Sequence, residues 1–287
     1  MILKQGDTIG IIALSGDCEK EKVDKAKTYF EGLGYRVRLS ENIYERNRYL
    51  AGTDEKKVDE LHDFFEDSDI KLILCARGGY GGIRLINKIN YRLIKKNPKP
   101  FCGFSDVTSL LLMINRNSGI VTYHSPMACS DFGSDEVNEV TKSNFFRAVS
   151  EEPMSYEGNK IYKNGFAQGV LIGGNLATVA SLCGQNFIPH ENFIFFTEDL
   201  NEPVYKIDKM FQQLLNIKKF AKNCKGIILG DFLGVDNEEW LEDYFKELGL
   251  RLGIPMIGGY KITHSCEKIT LPIGKFAQLN EKKLIIS

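Results

Sequence analysis

Residues 71–82 read KLILCARGGYGG, an apolar run that leads directly into a turn containing four glycines. A short apolar run indicates a buried strand, and neighbouring glycines allow the positive φ angles that tight turns need. Comparable runs lie at residues 8–14 (TIGIIAL) and 100–104 (PFCGF), and apolar residues at helical spacing follow them. Strands that alternate with helices predict βαβ units and a mainly parallel sheet. The N-terminal half is therefore expected to be α/β.

The pattern changes near residue 150, where polar residues, glycine and proline interrupt the alternation. From this change we predict one domain over residues 1–150, a linker over residues 151–164 and a second domain over residues 165–287. Residues 204–217 have the periodicity of an amphipathic helix. A later predicted helix contains Trp240, which we expect to be buried.

The composition of the 287-residue chain excludes several classes of protein. Lys and Arg number 37 against 38 Asp and Glu, so no excess of positive charge supports nucleic-acid binding. No apolar run approaches the roughly 20 residues that span a bilayer, and the first residues do not resemble a secretory signal. The seven cysteines are scattered without a CxxC pair, which predicts free thiols. We expect a soluble cytoplasmic protein that binds neither nucleic acid nor membrane.

The glycine-rich turn does not match a known phosphate-binding motif. The GxGxxG pattern fails because Arg84 occupies its last position, and the chain has no GxxxxGK[ST] sequence. Two interpretations remain open. The turn is either a plain tight connection or a set of backbone amides directed at a developing negative oxygen.

A second turn, Gly103-Phe104-Ser105-Asp106, lies between a predicted strand and an apolar helix. A serine at this position is exposed at the strand end and lies at a helix N-terminus, where an oxyanion is electrostatically favoured. Ser and Asp before a helix are also common N-caps. The motif by itself therefore leaves a nucleophile and an N-cap as alternatives.

A serine nucleophile needs a base, and histidine is the usual one. The histidines of the sequence are His62, His124, His190 and His264. We expect His62 to be solvated on its helix and His190 to lie in a polar turn, whereas His124 ends a strand and His264 lies in a loop. An orienting acid can come from Glu198 or Asp199, which follow an apolar strand.

Taken in order, these segments resemble the LD-carboxypeptidase family of serine peptidases, which includes muropeptide LD-carboxypeptidases and microcin-C immunity peptidases. The matching motifs are GDTIGIIALSG, ARGGYGGIRL, GFSDVT, HSPM, LIGGNL, EDLNEPVYKIDKMFQQL and a histidine followed by TLPIG. They extend over nearly the whole chain in the family's order and spacing. The combination is therefore far more specific than any one motif.

The resemblance implies a catalytic triad in which Ser105 is the nucleophile, Glu198 the acid and His264 the base. It also implies an oxyanion hole formed by the backbone amides of Gly79 and Asp106, with no metal and no cofactor. The implied fold is a Rossmann-like N-terminal domain with a mainly parallel sheet and a smaller mixed α/β C-terminal domain. The site is then expected at the domain interface, and a homodimer is expected because homodimers are usual in the family.

A carboxypeptidase must also recognise the terminal carboxylate of its substrate. Arg77 and Arg84 flank the glycine turn and are candidate donors, although Arg84 also suits a plain surface position. Tyr80 and His124 are further candidate substrate-binding residues. Cys266, two residues after His264, is the thiol that we do not expect to be inert.

Three functions are consistent with these residues. The first is hydrolysis of an L-to-D peptide bond that releases the C-terminal D-Ala of cytoplasmic murein tetrapeptides, with Lys or diaminopimelate as the third stem residue. The second is cleavage of a peptidyl-nucleotide conjugate of the microcin-C type. The third is a non-catalytic α/β module that binds a ligand, and the presence of all three triad residues argues against it.

Overall fold

The computed structural model describes residues 3–287, which divide into two compact units. The first unit extends to Glu152 and includes Thr270–Pro272, and the second comprises Pro153–Ile269 and Ile273–Ser287. Within residues 3–287, no helix combines the length and the apolar character that crossing a bilayer requires.

The two units are built from alternating strands and helices. In chain order the strands are β1 (Thr8–Ile12), β2 (Arg36–Leu39), β3 (Ile70–Cys75), β4 (Phe101–Gly103), β5 (Thr122–His124), β6 (Met154–Glu157), β7 (Lys160–Lys163), β8 (Phe166–Asn175), β9 (Phe193–Leu200), β10 (Cys224–Leu233), β11 (Met256–Gly258), β12 (Leu271–Ile273), β13 (Phe276–Asn280) and β14 (Lys283–Ile286). The α-helices are α1 (Lys20–Gly32), α2 (Asp54–Glu66), α3 (Tyr91–Lys96), α4 (Thr108–Ser118), α5 (Glu139–Val149), α6 (Leu176–Ser181), α7 (Val204–Leu215), α8 (Lys218–Asn223) and α9 (Glu238–Leu252).

The first unit carries a sheet with the strand order β2-β1-β3-β4-β5-β12. The pairs β1–β2, β1–β3, β3–β4 and β4–β5 are all parallel, which confirms the predicted α/β fold with a mainly parallel sheet. The strand order reverses between β1 and β3, which makes the carboxyl ends of these two strands the topological switch point of the sheet. The glycine turn follows β3 and therefore lies at this switch point.

The second unit carries a mixed sheet with the order β6-β14-β13-β8-β9-β10-β11-β7. Its central strands β8 to β11 are parallel, whereas the strands toward both edges pair antiparallel. Strand β9 lies inside this sheet, and all of its side chains except that of Leu200 are buried. A polar side chain on β9 is therefore held in a rigid, largely dry environment.

The segment predicted as a linker over residues 151–164 differs from the structure, because β6 and β7 lie within it. These strands occupy the two outer positions of the second sheet, where β6 pairs with β14 and β7 pairs with β11. Edge strands tolerate polar and charged side chains because one edge is solvated. That polarity resembles the composition of a linker, which explains the difference.

The prediction that Trp240 is buried is wrong, since 64% of its side chain is exposed on α9. The buried face of α9 is formed by Leu241, Phe245 and Leu248, at positions i, i+4 and i+7. Trp240 lies about 100° away from Leu241 on the helix and therefore faces outward.

Candidate active site

Ser105 lies in the turn that connects β4 to α4. The strand ends at Gly103, a single 3₁₀ turn covers Ser105–Val107, and α4 begins at Thr108. The φ angle of Ser105 is +61°, a value uncommon for a residue other than glycine. Such a backbone costs on the order of 1–3 kcal/mol and is concentrated at functional sites. The half-buried Ser105 side chain is thus displayed on a strained strand-to-helix turn.

The glycine turn approaches Ser105 closely. A Cβ atom added to Gly78 would lie 3.0 Å from both Cβ and Oγ of Ser105, so a side chain at position 78 would require Ser105 to shift. Gly79 follows with a φ angle of +119°. The backbone N–H groups of Gly79 and Asp106 have no hydrogen-bond acceptor among residues 3–287. Two such donors beside a serine hydroxyl have the chemistry of an oxyanion hole.

The side chain of Asp106 does not cap the helix that follows. Its Oδ2 atom accepts hydrogen bonds from Oγ of Ser15 at 2.6 Å and from the backbone N–H of Gly82 at 2.8 Å. None of the side chains of the described residues 3–287 caps the 3₁₀ turn or the start of α4. The N-cap interpretation of this motif is therefore wrong. The roles of Ser15 and Gly82 were not predicted, although Gly82 follows β3, the neighbour of β4, and Ser15 follows β1, the next strand beyond β3.

Glu198 and His264 are paired in the second unit. Oε2 of Glu198 lies 2.8 Å from Nδ1 of His264. The Glu198 side chain on β9 is fully buried, and 18% of the His264 side chain is exposed. A carboxylate on Nδ1 fixes the ring orientation and directs the Nε2 lone pair away from the acid, as a general base requires.

Asp199, the other predicted acid, faces a different set of partners. Its Oδ1 accepts from Nδ2 of Asn175 and the N–H of Leu200, and its Oδ2 accepts from the N–H of Ala177. Burial raises the pKa of Asp199 from its usual 3.8 to about 6, and the neighbouring Glu198 charge adds to the rise. Asp199 therefore shapes the start of α6 rather than contacting His264.

The predicted substrate-binding residues fall into exposed and buried positions. Arg77 is exposed and donates through Nη1 to the carbonyl oxygen of Asp17 at 3.0 Å. Tyr80 is 46% exposed, and its ring centroid lies 5.7 Å from that of Tyr49. His124, in contrast, is buried, with its ring packed edge-on to Phe104, so the structure does not present it at the surface of the first unit.

Arg84 is engaged with a carboxylate of its own unit. Its Nη2 lies 2.9 Å from Oδ2 of Asp54, and its Nε lies within 3.1 Å of both carboxylate oxygens. This pair leaves Arg84 as a structural surface residue, which was the second interpretation of the sequence. Cys266 is exposed.

His62 and His190 lie in two different environments, each described by its own neighbours. His62, which we expected to be solvated, is only half-buried; its Nε2 accepts a hydrogen bond from the N–H of Asn90 at 2.8 Å, and partial burial lowers its pKa. His190 is exposed, in keeping with a polar turn. Among residues 3–287 there is no group of three or more His, Cys, Asp or Glu side chains arranged to hold a metal ion.

Two family models match the chain. The model of the LD-carboxypeptidase N-terminal domain matches residues 9–125, and that of the LD-carboxypeptidase C-terminal domain matches residues 168–279. A probable murein peptide carboxypeptidase of Bacillus subtilis is 36% identical, over 99% of this chain and 92% of that protein.

Solved structures are similar over almost the whole chain. A MccF-like protein from Bacillus anthracis superposes with a TM-score of 0.92 at 27% identity, covering 99% of this chain and 98% of that one. A muramoyltetrapeptide carboxypeptidase from Oxalobacter formigenes gives a TM-score of 0.90 at 27% identity, covering 98% of both chains. With both family models matched in order and a relative at 36% identity, the chain belongs to the LD-carboxypeptidase family of peptidases.

Proposed function

We propose that this peptidase is a serine-type LD-carboxypeptidase that releases the C-terminal D-Ala of murein tetrapeptides. The observation that carries the proposal is the setting of Ser105, on a backbone with a φ angle of +61° beside two amides that have no acceptor among residues 3–287. The names of relatives support the substrate class, since they include a murein tetrapeptide carboxypeptidase of Pseudomonas aeruginosa at 28% identity over 96% of this chain.

In the proposed reaction, Ser105 acts with the Glu198–His264 pair as a triad. Nε2 of His264 takes the proton of Ser105 as its oxygen attacks the carbonyl carbon of the L-to-D bond. Glu198 holds the ring and stabilises the imidazolium that forms. The amides of Gly79 and Asp106 stabilise the negative oxygen of the tetrahedral intermediate.

The intermediate then collapses to products in two stages. His264 donates the proton to the leaving nitrogen, and D-Ala departs from an acyl-enzyme on Ser105. Water, activated by the same histidine, hydrolyses the ester and restores the serine. Because side chains supply the base and the acid and backbone amides stabilise the oxyanion, this mechanism requires no metal and no cofactor.

Substrate binding is proposed for the exposed residues next to the glycine turn. Arg77 can donate to the terminal carboxylate, because a guanidinium binds carboxylates through paired N–H groups. Tyr80 offers an aromatic surface directly after the Gly79 amide. His124 retains a supporting role only, since its side chain is buried in the first unit.

Cleavage of a peptidyl-nucleotide conjugate is the second candidate. It is favoured by one observation, the contact between the half-exposed rings of Tyr49 and Tyr80 beside the glycine turn. Exposed aromatic rings are the usual platform for a nucleobase. The exposed Trp240 is a further aromatic surface, in the second unit.

A substrate panel tests these functions against each other. Wild-type protein is offered an L,D-tetrapeptide, the matching L,L-peptide and a peptidyl-nucleotide, each with and without EDTA. We expect hydrolysis of the L,D-peptide alone, undiminished by EDTA. Cleavage of only the nucleotide conjugate would favour the second candidate, loss on chelation would contradict the triad, and turnover of none would indicate a binding module.

Two further features remain predictions, namely a homodimer, which the family resemblance implies, and a cytoplasmic location, which the composition of the sequence suggests. Light scattering of the purified protein measures the first. Fractionation of the source cells, followed by detection of the protein, measures the second.

A further inference from the structure

The carboxyl group of Asp106 joins loops that follow three different strands. Asp106 itself lies after β4, Ser15 lies after β1, and Gly82 lies after β3. A single oxygen, Oδ2, accepts from the Ser15 hydroxyl at 2.6 Å and the Gly82 amide at 2.8 Å. Asp106 is 8% exposed and Ser15 is fully buried, so water does not substitute readily for these bonds.

Hydrogen bonds from the neighbouring loops and strands hold both ends of the glycine turn. At its start, the N–H of Ala76 bonds the carbonyl oxygen of Ile12 at 2.8 Å, and the N–H of Gly16 bonds that of Gly78 at 3.1 Å. At its end, the Gly82 amide bonds Asp106. Within the part of the chain that the structure describes, the N–H of Gly79, between these points, donates no backbone hydrogen bond. Its orientation therefore depends on the anchors on either side.

The close packing at Gly82 shows that this anchor tolerates little change. A Cβ atom added to Gly82 would lie 2.6 Å from Oγ of Ser109 and 3.2 Å from Oδ2 of Asp106. Ser109 in turn donates to the backbone carbonyl of Asp106 at 2.9 Å. The backbone of Asp106 and its side chain are thus both held, and they connect the nucleophile turn to the glycine turn.

We propose that the carboxylate of Asp106 is a positioning group that holds the Gly79 amide beside Ser105, with Ser15 as its hydrogen-bonding partner. This inference rests on the proposed function, in which the Gly79 amide binds the oxyanion. Asp106 then has two roles, one through its own backbone N–H and one through its side chain.

The physical consequence is a loss of transition-state stabilisation with little change in substrate binding. A displacement of about 1 Å in a catalytic group can lower the rate about 100-fold. Removal of the carboxylate leaves the amide of Gly82 and the hydroxyl of Ser15 without their acceptor, so the turn must shift. The oxyanion develops only during the reaction, so the effect is expected in kcat rather than in KM.

The test compares the variants Asp106→Ala, Asp106→Asn and Ser15→Ala. Asparagine keeps one oxygen, which can take the place of Oδ2 and accept both hydrogen bonds. The control is Ser130→Ala, which removes another serine-to-aspartate hydrogen bond of 2.7 Å in the same unit. Each variant is measured for kcat and KM of D-Ala release and for the rate at which a fluorophosphonate labels Ser105 with loss of fluoride.

We expect Asp106→Ala to lower kcat and the labelling rate about 100-fold and Ser15→Ala to lower them about 10-fold, with KM within twofold. The kcat and labelling rate of Asp106→Asn should stay within tenfold of the wild-type values. Those of Ser130→Ala should equal the wild-type values. Faster hydrogen exchange of the Gly82 amide, whose acceptor is the Asp106 carboxylate, should accompany both losses. Wild-type rates in Asp106→Ala, or equal losses in Ser15→Ala and Ser130→Ala, would overturn the proposal.

The two proposals fail in different ways. If the wild-type protein is labelled at Ser105 but releases no D-Ala, the substrate assignment is wrong and the labelling rates still decide the role of Asp106. If Ser105 of the wild type is not labelled, Ser105 is not an activated nucleophile, and the positioning role is overturned with it.

Discussion

Nδ1 of His264 lies 2.8 Å from Oε2 of Glu198, and the glutamate side chain is fully buried on β9. Burial on a central strand removes rotamer freedom from the carboxylate before any substrate arrives. The histidine, on a loop, takes its orientation from that fixed partner. A short hydrogen bond between a rigid acid and a partly exposed ring is the arrangement that general-base catalysis requires.

Replacing the carboxylate tests this relationship directly. In Glu198→Gln the side chain keeps its shape but loses its charge, so the histidine tautomer and the imidazolium are no longer stabilised. We expect kcat to fall about 10²–10⁴-fold with little change in KM, measured by steady-state release of D-Ala. The control is Glu191→Gln, at an exposed position just before the same strand. A loss of less than twofold in Glu198→Gln would contradict the role of the acid.

Substitution of Gly79 by alanine tests whether its backbone N–H is a donor of the oxyanion hole. An alanine at position 79 would have to adopt a φ angle of +119°, and its Cβ atom would lie 3.3 Å from the backbone of Gly16. We expect Gly79→Ala to lower kcat about 10²–10³-fold, because the amide must turn to relieve the strain. Gly119→Ala is the matched control, since Gly119 also has a positive φ angle but nothing within 4 Å of an added Cβ.

The control separates strain from function. Gly119→Ala should reduce the free energy of unfolding by about 1–2 kcal/mol and leave kcat unchanged. Kinetics and denaturant unfolding of both variants provide the comparison. If both glycine variants lose activity in proportion to their loss of stability, the Gly79 amide has no special role.

Asp199 gives the stability of the protein a specific dependence on pH. Its pKa rises from 3.8 to about 6 on folding, chiefly through burial. The folded state therefore binds this proton more tightly than the unfolded state. The resulting stabilisation is present at low pH and is lost as the pH rises through about 6. Between pH 4 and 7.5 the contribution amounts to about 2 kcal/mol.

Urea unfolding of wild type and Asp199→Asn at a series of pH values measures this contribution. Between pH 4 and pH 7.5 the unfolding free energy of the wild type should fall by about 2 kcal/mol relative to that of Asp199→Asn. In a Glu198→Gln background the pH midpoint of this change should be lower, because the neighbouring Glu198 charge also raises the pKa of Asp199. A pH-independent difference would show that Asp199 does not titrate in this range.

The elements that the sequence predicts well are those in which local chemistry and tertiary packing agree. Thr53, of a residue type that favours the N-cap position, accepts the N–H of Lys56 at 3.3 Å and caps α2. Strand β3 occupies Ile70–Cys75 because its side chains are buried on both faces of a parallel sheet, which leaves a continuous apolar run. The edge strands β6 and β7 escape prediction because their side chains are partly solvated.

The site is less accessible to prediction because its contacts are not periodic. Glu198 and His264 lie 66 residues apart, and no local pattern connects them. Only the resemblance to a family paired them before the structure did. The carboxyl group of Asp106 shows the opposite failure, in which a local rule was available but did not apply. An aspartate before a helix predicts an N-cap, but the carboxylate of Asp106 instead accepts a hydrogen bond from Ser15, which lies 91 residues away in the sequence.

Release of D-Ala from an L,D-murein tetrapeptide by wild type and Ser105→Ala is the most direct test of the account. Substitution by alanine removes the nucleophile and leaves the two amides and the Glu198–His264 pair in place. The account predicts D-Ala release by the wild type and a loss of about 10³-fold or more in the variant, with an unchanged unfolding transition. A Ser105→Ala protein that releases D-Ala at the wild-type rate would contradict it.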